Sequence, residues 1–168
     1  MAMVDAVGGL KPTQTPLESQ VIEMEVKAST IVYPHQVVVL DSGYIVPATA
    51  GADGPVLGVC LDYASSSATV IAKATVCIDP DMVYNALADE AMDRTDFGKR
   101  CILASNAGST TVRKGTAVVD GSSATATYTV KTYITFLGLA DIVTPDTNLW
   151  IKCKLNALSL SGAFDAIS

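Results

Sequence analysis

A 168-residue chain with a net charge of −6 is long enough to close a core without disulfides or metals, and too acidic to coat nucleic acid. Hydrophobic residues make up 49% of it and charged ones 17%, below the roughly 25% charged of an ordinary domain. That balance implies either small-residue β packing or apolar surface covered by other subunits.

Three further exclusions follow from the same text. No apolar run approaches the ~18 residues of a spanning helix. The N-terminus lacks a basic stretch followed by an apolar one, so retention in the cytoplasm until assembly or release is expected. Lysines and arginines are scattered, and the adjacent pairs Lys99-Arg100 and Arg113-Lys114 carry no interleaved aromatics, so no nucleic-acid partner is expected.

In chain order, residues 1–19 read as an arm. Gly8-Gly9, Pro12 and Pro16 interrupt any regular element, with Leu10 and Leu17 as isolated apolar residues. Such a segment is either a loose terminus or an arm that orders against a neighbour. In the second case Leu10, Pro12, Pro16 and Leu17 are the contact candidates.

A β-rich domain is expected over 20–157. Val21 to Lys27 alternates polar and apolar residues, as a half-buried strand does. Ile31 to Tyr33 and Val37 to Leu40 follow, and Asp41-Ser42-Gly43 supplies a tight turn into Tyr44-Ile45-Val46. Pro47 to Pro55 reads as a loop. Val56 to Tyr63 and Ala68 to Ile78 read as the next pair of strands. One region reads as helical or as an acidic loop: Asp81 to Ala91, in a stretch holding six of the 17 acidic residues, with Asp96-Phe97-Gly98 able to close a helical turn.

Strands are expected again at Ile102 to Ala104, Thr110 to Arg113, Thr116 to Val119, Ala124 to Leu139 and Leu149 to Leu155. Turns fall at Asn106-Ala107-Gly108 and Lys114-Gly115, and a small-residue tail occupies 158–168. The expected class is mainly β: a small β-barrel or β-sandwich with one short helical segment and an extended N-terminal arm.

Chemistry-bearing constellations are scarce. His35 is the one histidine, beside Pro34, and no local signature pairs it with a nucleophile; a turn or interface role is expected. Cys60, Cys77, Cys101 and Cys153 lie 17, 24 and 52 positions apart, with none of the close spacings of a zinc site. They read as small buried thiols, and two disulfides stay open for an extracellular particle. Asp79-Pro80-Asp81 and Asp89-Glu90 lack the loop that a calcium site needs. Asp96-Phe97-Gly98 has none of the kinase motifs around it, and Lys114-Gly115-Thr116 reverses the order of a phosphate-binding loop ending. No catalytic residue, metal or cofactor is expected.

From Tyr33 to Lys154 the order of segments resembles small head-decoration (cement) proteins of tailed bacteriophages. The likeness rests on the hairpin Asp41 to Pro47, the strand Val56-Leu57-Gly58-Val59 and the alternating Thr69 to Ile78. Asn85-Ala86-Leu87, Asp96-Phe97-Gly98-Lys99-Arg100-Cys101 and the late Leu149-Trp150-Ile151-Lys152 complete it. The long arm before the match and the long Asp79 to Arg94 segment depart from it. The resemblance implies a structural virion protein on the outer capsid surface, made in the host cytoplasm. Its implied partners are the major capsid protein and itself, as a homo-oligomer, a trimer favoured over a dimer, with no membrane or nucleic acid involved. Alternatives are another virion part, such as a head fibre base or tail component, or a receptor- or carbohydrate-binding β-module. The last requires an exposed aromatic platform, and Tyr33, Tyr44, Tyr63 and Trp150 are scattered in the sequence.

Overall fold

The computed structural model describes residues 9–50, 56–126, 134–139 and 150–155. The elements expected at 1–8, in parts of 47–55 and 124–139, at Leu149 and in the 158–168 tail lie outside them. Strands follow one another as β1 Lys11–Pro12, β2 Val21–Glu25, β3 Ile31–Val32, β4 Val37–Asp41, β5 Tyr44–Pro47, β6 Val56–Cys60, β7 Ala64–Ser65 and β8 Lys73–Cys77. They continue as β9 Tyr84–Ala88, β10 Arg100–Cys101, β11 Leu103–Ser105, β12 Gly108–Ser109, β13 Lys114–Gly115, β14 Val118–Val119, β15 Ile134–Leu139 and β16 Trp150–Leu155. Helical structure among the described residues is confined to 3-10 turns at Glu18–Gln20, Arg94–Asp96 and Gly121–Ser123. The chain is mainly β.

One sheet has the order β2-β8-β6-β4-β5, antiparallel throughout. Ser42 and Gly43 link β4 to β5 with φ of 55° and 87°. Positive φ at both positions is the two-residue turn whose twist matches that of the flanking strands. Val26, just past β2, bridges in parallel to Ile45 on β5, and the Lys27 N–H donates to the Ile45 carbonyl at 3.1 Å. The two outer strands therefore meet, and the sheet curls into a small barrel.

The second sheet closes by a different device. Its order is β10-β15-β16-β9-β14-β11, with β1 beside β9. Its outer strands, β10 and β11, are separated only by Ile102. The Arg100–Ser105 stretch thus pairs with β15 through its first half and with β14 through its second, bending the sheet into a nearly closed ring. Only the β9–β14 pairing in this ring is parallel.

Two apolar clusters form among the described residues. The smaller holds Val26, Val32, Val38, Ile45, Leu57, Cys60, Ala74 and Val76, inside the first barrel. The larger holds Tyr84, Leu103, Ile134, Phe136, Ile151 and Leu155 from the second, together with Val37, Val56, Val59 and Cys77 from the outer face of the first. Strand β6 is buried at all five positions because Leu57 and Cys60 serve one cluster while Val56 and Val59 serve the other. The continuous apolar runs of β4 and β6 follow from that double burial.

Several expected elements differ. Asp81 to Ala91 is not helical: β9 occupies its centre, with Tyr84, Ala86 and Ala88 buried and Asn85 and Leu87 half-buried. Alanine and asparagine are weak strand formers, and pairing with both β16 and β14 overrides that preference. The short helical turn sits instead at Arg94–Asp96, where the Asp93 carboxylate accepts from the Thr95 N–H at 2.6 Å. Of Ala68 to Ile78 only β8 is strand, because Ser66 and Ser67 fold 66–72 into a loop. Thr110 to Arg113 and Lys114-Gly115 exchange roles: the former is the turn and the latter the strand that pairs with β12.

Candidate functional site

The chemistry-bearing residues do not converge. His35 sits half-buried in the left-handed region (φ 72°), its N–H donating to the Cys60 carbonyl at 2.7 Å and its carbonyl accepting from Leu10 at 3.0 Å. It is a junction between the N-terminal segment and the first barrel. A Cβ on Gly9 would lie 2.3 Å from the His35 carbonyl oxygen, which explains a glycine there. All four cysteines are free and buried. The Cys60 thiol donates to the Asp62 carbonyl rather than to a histidine. Burial pushes Cys60 up to about 12 and Cys101 up to about 11, and raises Cys153 as well, so these thiols stay protonated. Among the described residues no group of three or more His, Cys, Asp or Glu side chains is placed to hold a metal ion.

The surface carries more information than the interior. Four large apolar side chains stand out at Leu17 (64% exposed), Val70 (67%), Phe97 (65%) and Val112 (48%). Each sits on a different segment, and each segment is fixed by hydrogen bonds. Leu17 begins a 3-10 turn in which its N–H donates to Gln20 Oε1 at 2.7 Å. Val70 tips a loop held by buried Ser66, whose hydroxyl donates to the Val26 carbonyl and accepts from the Ala72 N–H. Phe97 follows the Arg94–Asp96 turn, next to Gly98, whose N–H donates to the Phe136 carbonyl at 2.9 Å. Val112 lies in the β12–β13 turn, which the Gly115 N–H ties to the Pro34 carbonyl at 2.7 Å.

The contact candidates of the N-terminal segment fall into different environments. Leu10 is fully buried in the larger cluster, so this segment is anchored in the chain's own core. Pro12, half-buried, pairs with Tyr84 through β1, and Thr13 extends the anchor through the Val83 carbonyl. Pro16 is half-buried and Leu17 exposed, on the stretch between that anchor and β2. The spacing of Leu10 and Leu17 gave no sign of this difference.

Two further features bring together residues that are distant in sequence. Tyr33 and Tyr63 continue the β3–β7 register, their ring centroids 5.5 Å apart and their planes 62° to one another. The Arg113 guanidinium lies 5.3 Å from the Tyr63 centroid. A groove of about 350 Å³ opens between Phe97, Phe136, Gly138 and Leu139, with Arg94 as the cation on its lining.

One residue was missed altogether. Asn106 reads as a turn residue, yet it is buried and its side chain holds the backbone of Val37 and Ala48. An asparagine beside a glycine two positions on carries no sequence signal that separates a turn from a staple.

No family model, curated protein or solved structure matches this chain. Among the described residues no helix is long and apolar enough to cross a membrane.

Proposed function

We propose that this chain is a structural virion protein that binds the outer surface of an icosahedral phage capsid and stabilises it by bridging neighbouring capsid subunits. One observation carries the reading: Leu17, Val70, Phe97 and Val112 are separate, hydrogen-bond-fixed apolar contacts around one doubly curled β body. Several modest contacts on a stiff frame suit a protein that touches more than one subunit at once, because the second contact forms at high effective concentration. Binding only the assembled shell then stabilises that shell by mass action. The resemblance supports the same reading, since three of its segments form β4–β5, β6 and β8, which lie side by side in one sheet.

The test is co-sedimentation with expanded capsids that lack the protein. Saturable binding that raises the capsid melting temperature is expected. Absence of binding by the full chain to its cognate capsid overturns the reading.

A second reading, a receptor- or carbohydrate-binding module, is favoured by the Tyr33–Tyr63–Arg113 cluster, an aromatic pair with a guanidinium against it. Binding to immobilised glycans that is lost in Tyr63→Ala and retained in Leu17→Asp would select it over the first.

A further inference from the structure

The groove at Phe97 and the exposed turn at Leu17 each set apolar surface beside one charged side chain, Arg94 at the groove and Glu18 at the turn. The groove is apolar except for Arg94, and Phe97 at its edge is 65% exposed. Leu17, 64% exposed, is followed directly by exposed Glu18. Neither Arg94 nor Glu18 is in an ion pair among the described residues, whose pairs are Lys27–Asp41, Lys73–Glu23 and Lys99–Asp96. A carboxylate beside an exposed leucine, in none of the pairs among the described residues, therefore has its counterpart in a guanidinium, likewise in none of them, beside an exposed apolar groove.

The leucine does not swing freely. On its N-terminal side Leu10 is buried in the core, β1 pairs with β9, and Thr13 bonds to Val83. On its C-terminal side the Gln20 carbonyl accepts from the Ile78 N–H at 3.0 Å, and the Gln20 amide donates to the Asp79 carboxylate. Held at both ends, Leu17 is presented outward as a rigid knob, which keeps the ordering cost of docking low.

We infer that the Pro16-Leu17-Glu18 turn of one copy docks into the Phe97–Phe136–Leu139 groove of a second copy, with Glu18 meeting Arg94. Knob and groove are different patches, so the contact is heterologous: repeated, it closes a ring or runs on as a filament. This rests on the structural role proposed above and divides its four apolar side chains: Leu17 and Phe97 serve the self-contact, and Val70 and Val112 are left for the capsid. It concerns the protein alone, so its failure leaves capsid binding to be judged separately.

The experiment is sedimentation velocity of the full chain across a concentration series, without capsids. Concentration-dependent association is expected, lost in Leu17→Asp and in Phe97→Asp. Glu18→Arg and Arg94→Glu, each placing like charges together, are expected to weaken it by at least about tenfold. The double variant E18R/R94E is expected to restore it, which a merely structural role for either residue would not do. All four positions are on exposed turns, and unchanged circular dichroism and melting confirm folding. A monomer at every concentration overturns the inference. So does association that survives both Leu17→Asp and Phe97→Asp, which would place the self-contact elsewhere.

Discussion

Asn106 and Val37, 69 positions apart in the sequence, are joined by two hydrogen bonds between one side chain and one backbone residue. The Val37 N–H donates to Asn106 Oδ1 at 3.0 Å, and Asn106 Nδ2 donates to the Val37 carbonyl at 2.7 Å. The same Nδ2 also donates to the Ala48 carbonyl at 2.8 Å, and Gln36 Nε2 donates to the Asn106 carbonyl at 2.7 Å. The amide acts as a missing strand partner at the end of β4, where the segment following β11 crosses from the second barrel to the first.

Asn106→Ala removes the side-chain partner of the buried Val37 N–H and of the Ala48 carbonyl, while the Val37 carbonyl keeps the Ala48 N–H at 2.9 Å. A loss of about 3 kcal/mol is expected, read as a lower urea midpoint at unchanged slope. Asn106→Asp keeps the acceptor for Val37 N–H but removes the donor to two carbonyls, and is expected to cost at least as much. A loss under about 0.5 kcal/mol for both variants would show that the staple is dispensable.

Leu10 and Leu17 give a paired prediction. Leu10 is fully buried and Leu17 largely exposed. Leu10→Ala should cost about 3 kcal/mol through lost contacts and a residual cavity. Leu17→Ala should change monomer stability by no more than about 0.5 kcal/mol. Equal effects in chemical denaturation would contradict the anchoring of the N-terminal segment.

Glycine substitutions separate crowding from strain. A Cβ on Gly58 would lie 2.0 Å from the Cys77 carbonyl oxygen, across the β6–β8 pairing, where backbone rather than a flexible side chain must move. Gly58→Ala is expected to cost about 3 kcal/mol or to prevent folding. Gly43 has φ +87° and open space around its Cβ position. Gly43→Ala should therefore cost only about 1 kcal/mol, the strain of the left-handed turn. Thermal melts of the two variants check the order.

The buried thiols predict how stability changes at alkaline pH. Burial raises Cys60 to about 12 and Cys101 to about 11 from an ordinary value of 9.0. Below pH 9 these thiols are protonated in both folded and unfolded chains and contribute no pH dependence. Between pH 9 and 11–12 the unfolded chain gives up its protons first, so stability falls as pH rises. Tyr84, also raised by burial, adds to the fall above pH 10. The urea midpoint should drop between pH 9 and 11, and less so in C60A/C101A. At pH 8 the native protein should resist a thiol reagent that labels all four cysteines once urea is added.

Much of the first barrel was legible in the residues. Val21 to Glu25 alternates, Asp41-Ser42-Gly43 specifies its hairpin through backbone requirements that act over four residues, and Val56 to Cys60 is an apolar run of strand length. The second barrel was less so. Its strands β10, β11 and β14 are two or three residues long, too short for any period to register. Strand β9 carries an asparagine and two alanines, weak strand formers, and two neighbours in space make it a strand.

The candidate surface divides in the same way. Composition determined that the chain carries apolar residues in excess of its charged ones, and that it lacks a local catalytic or metal-binding motif, because both are properties of the residues themselves. Which leucine is buried and which exposed, that Tyr33 meets Tyr63, and that Asn106 serves Val37 were decided only by the tertiary structure. Burial and hydrogen-bond satisfaction depend on partners 30 to 70 positions away, which local pattern does not encode.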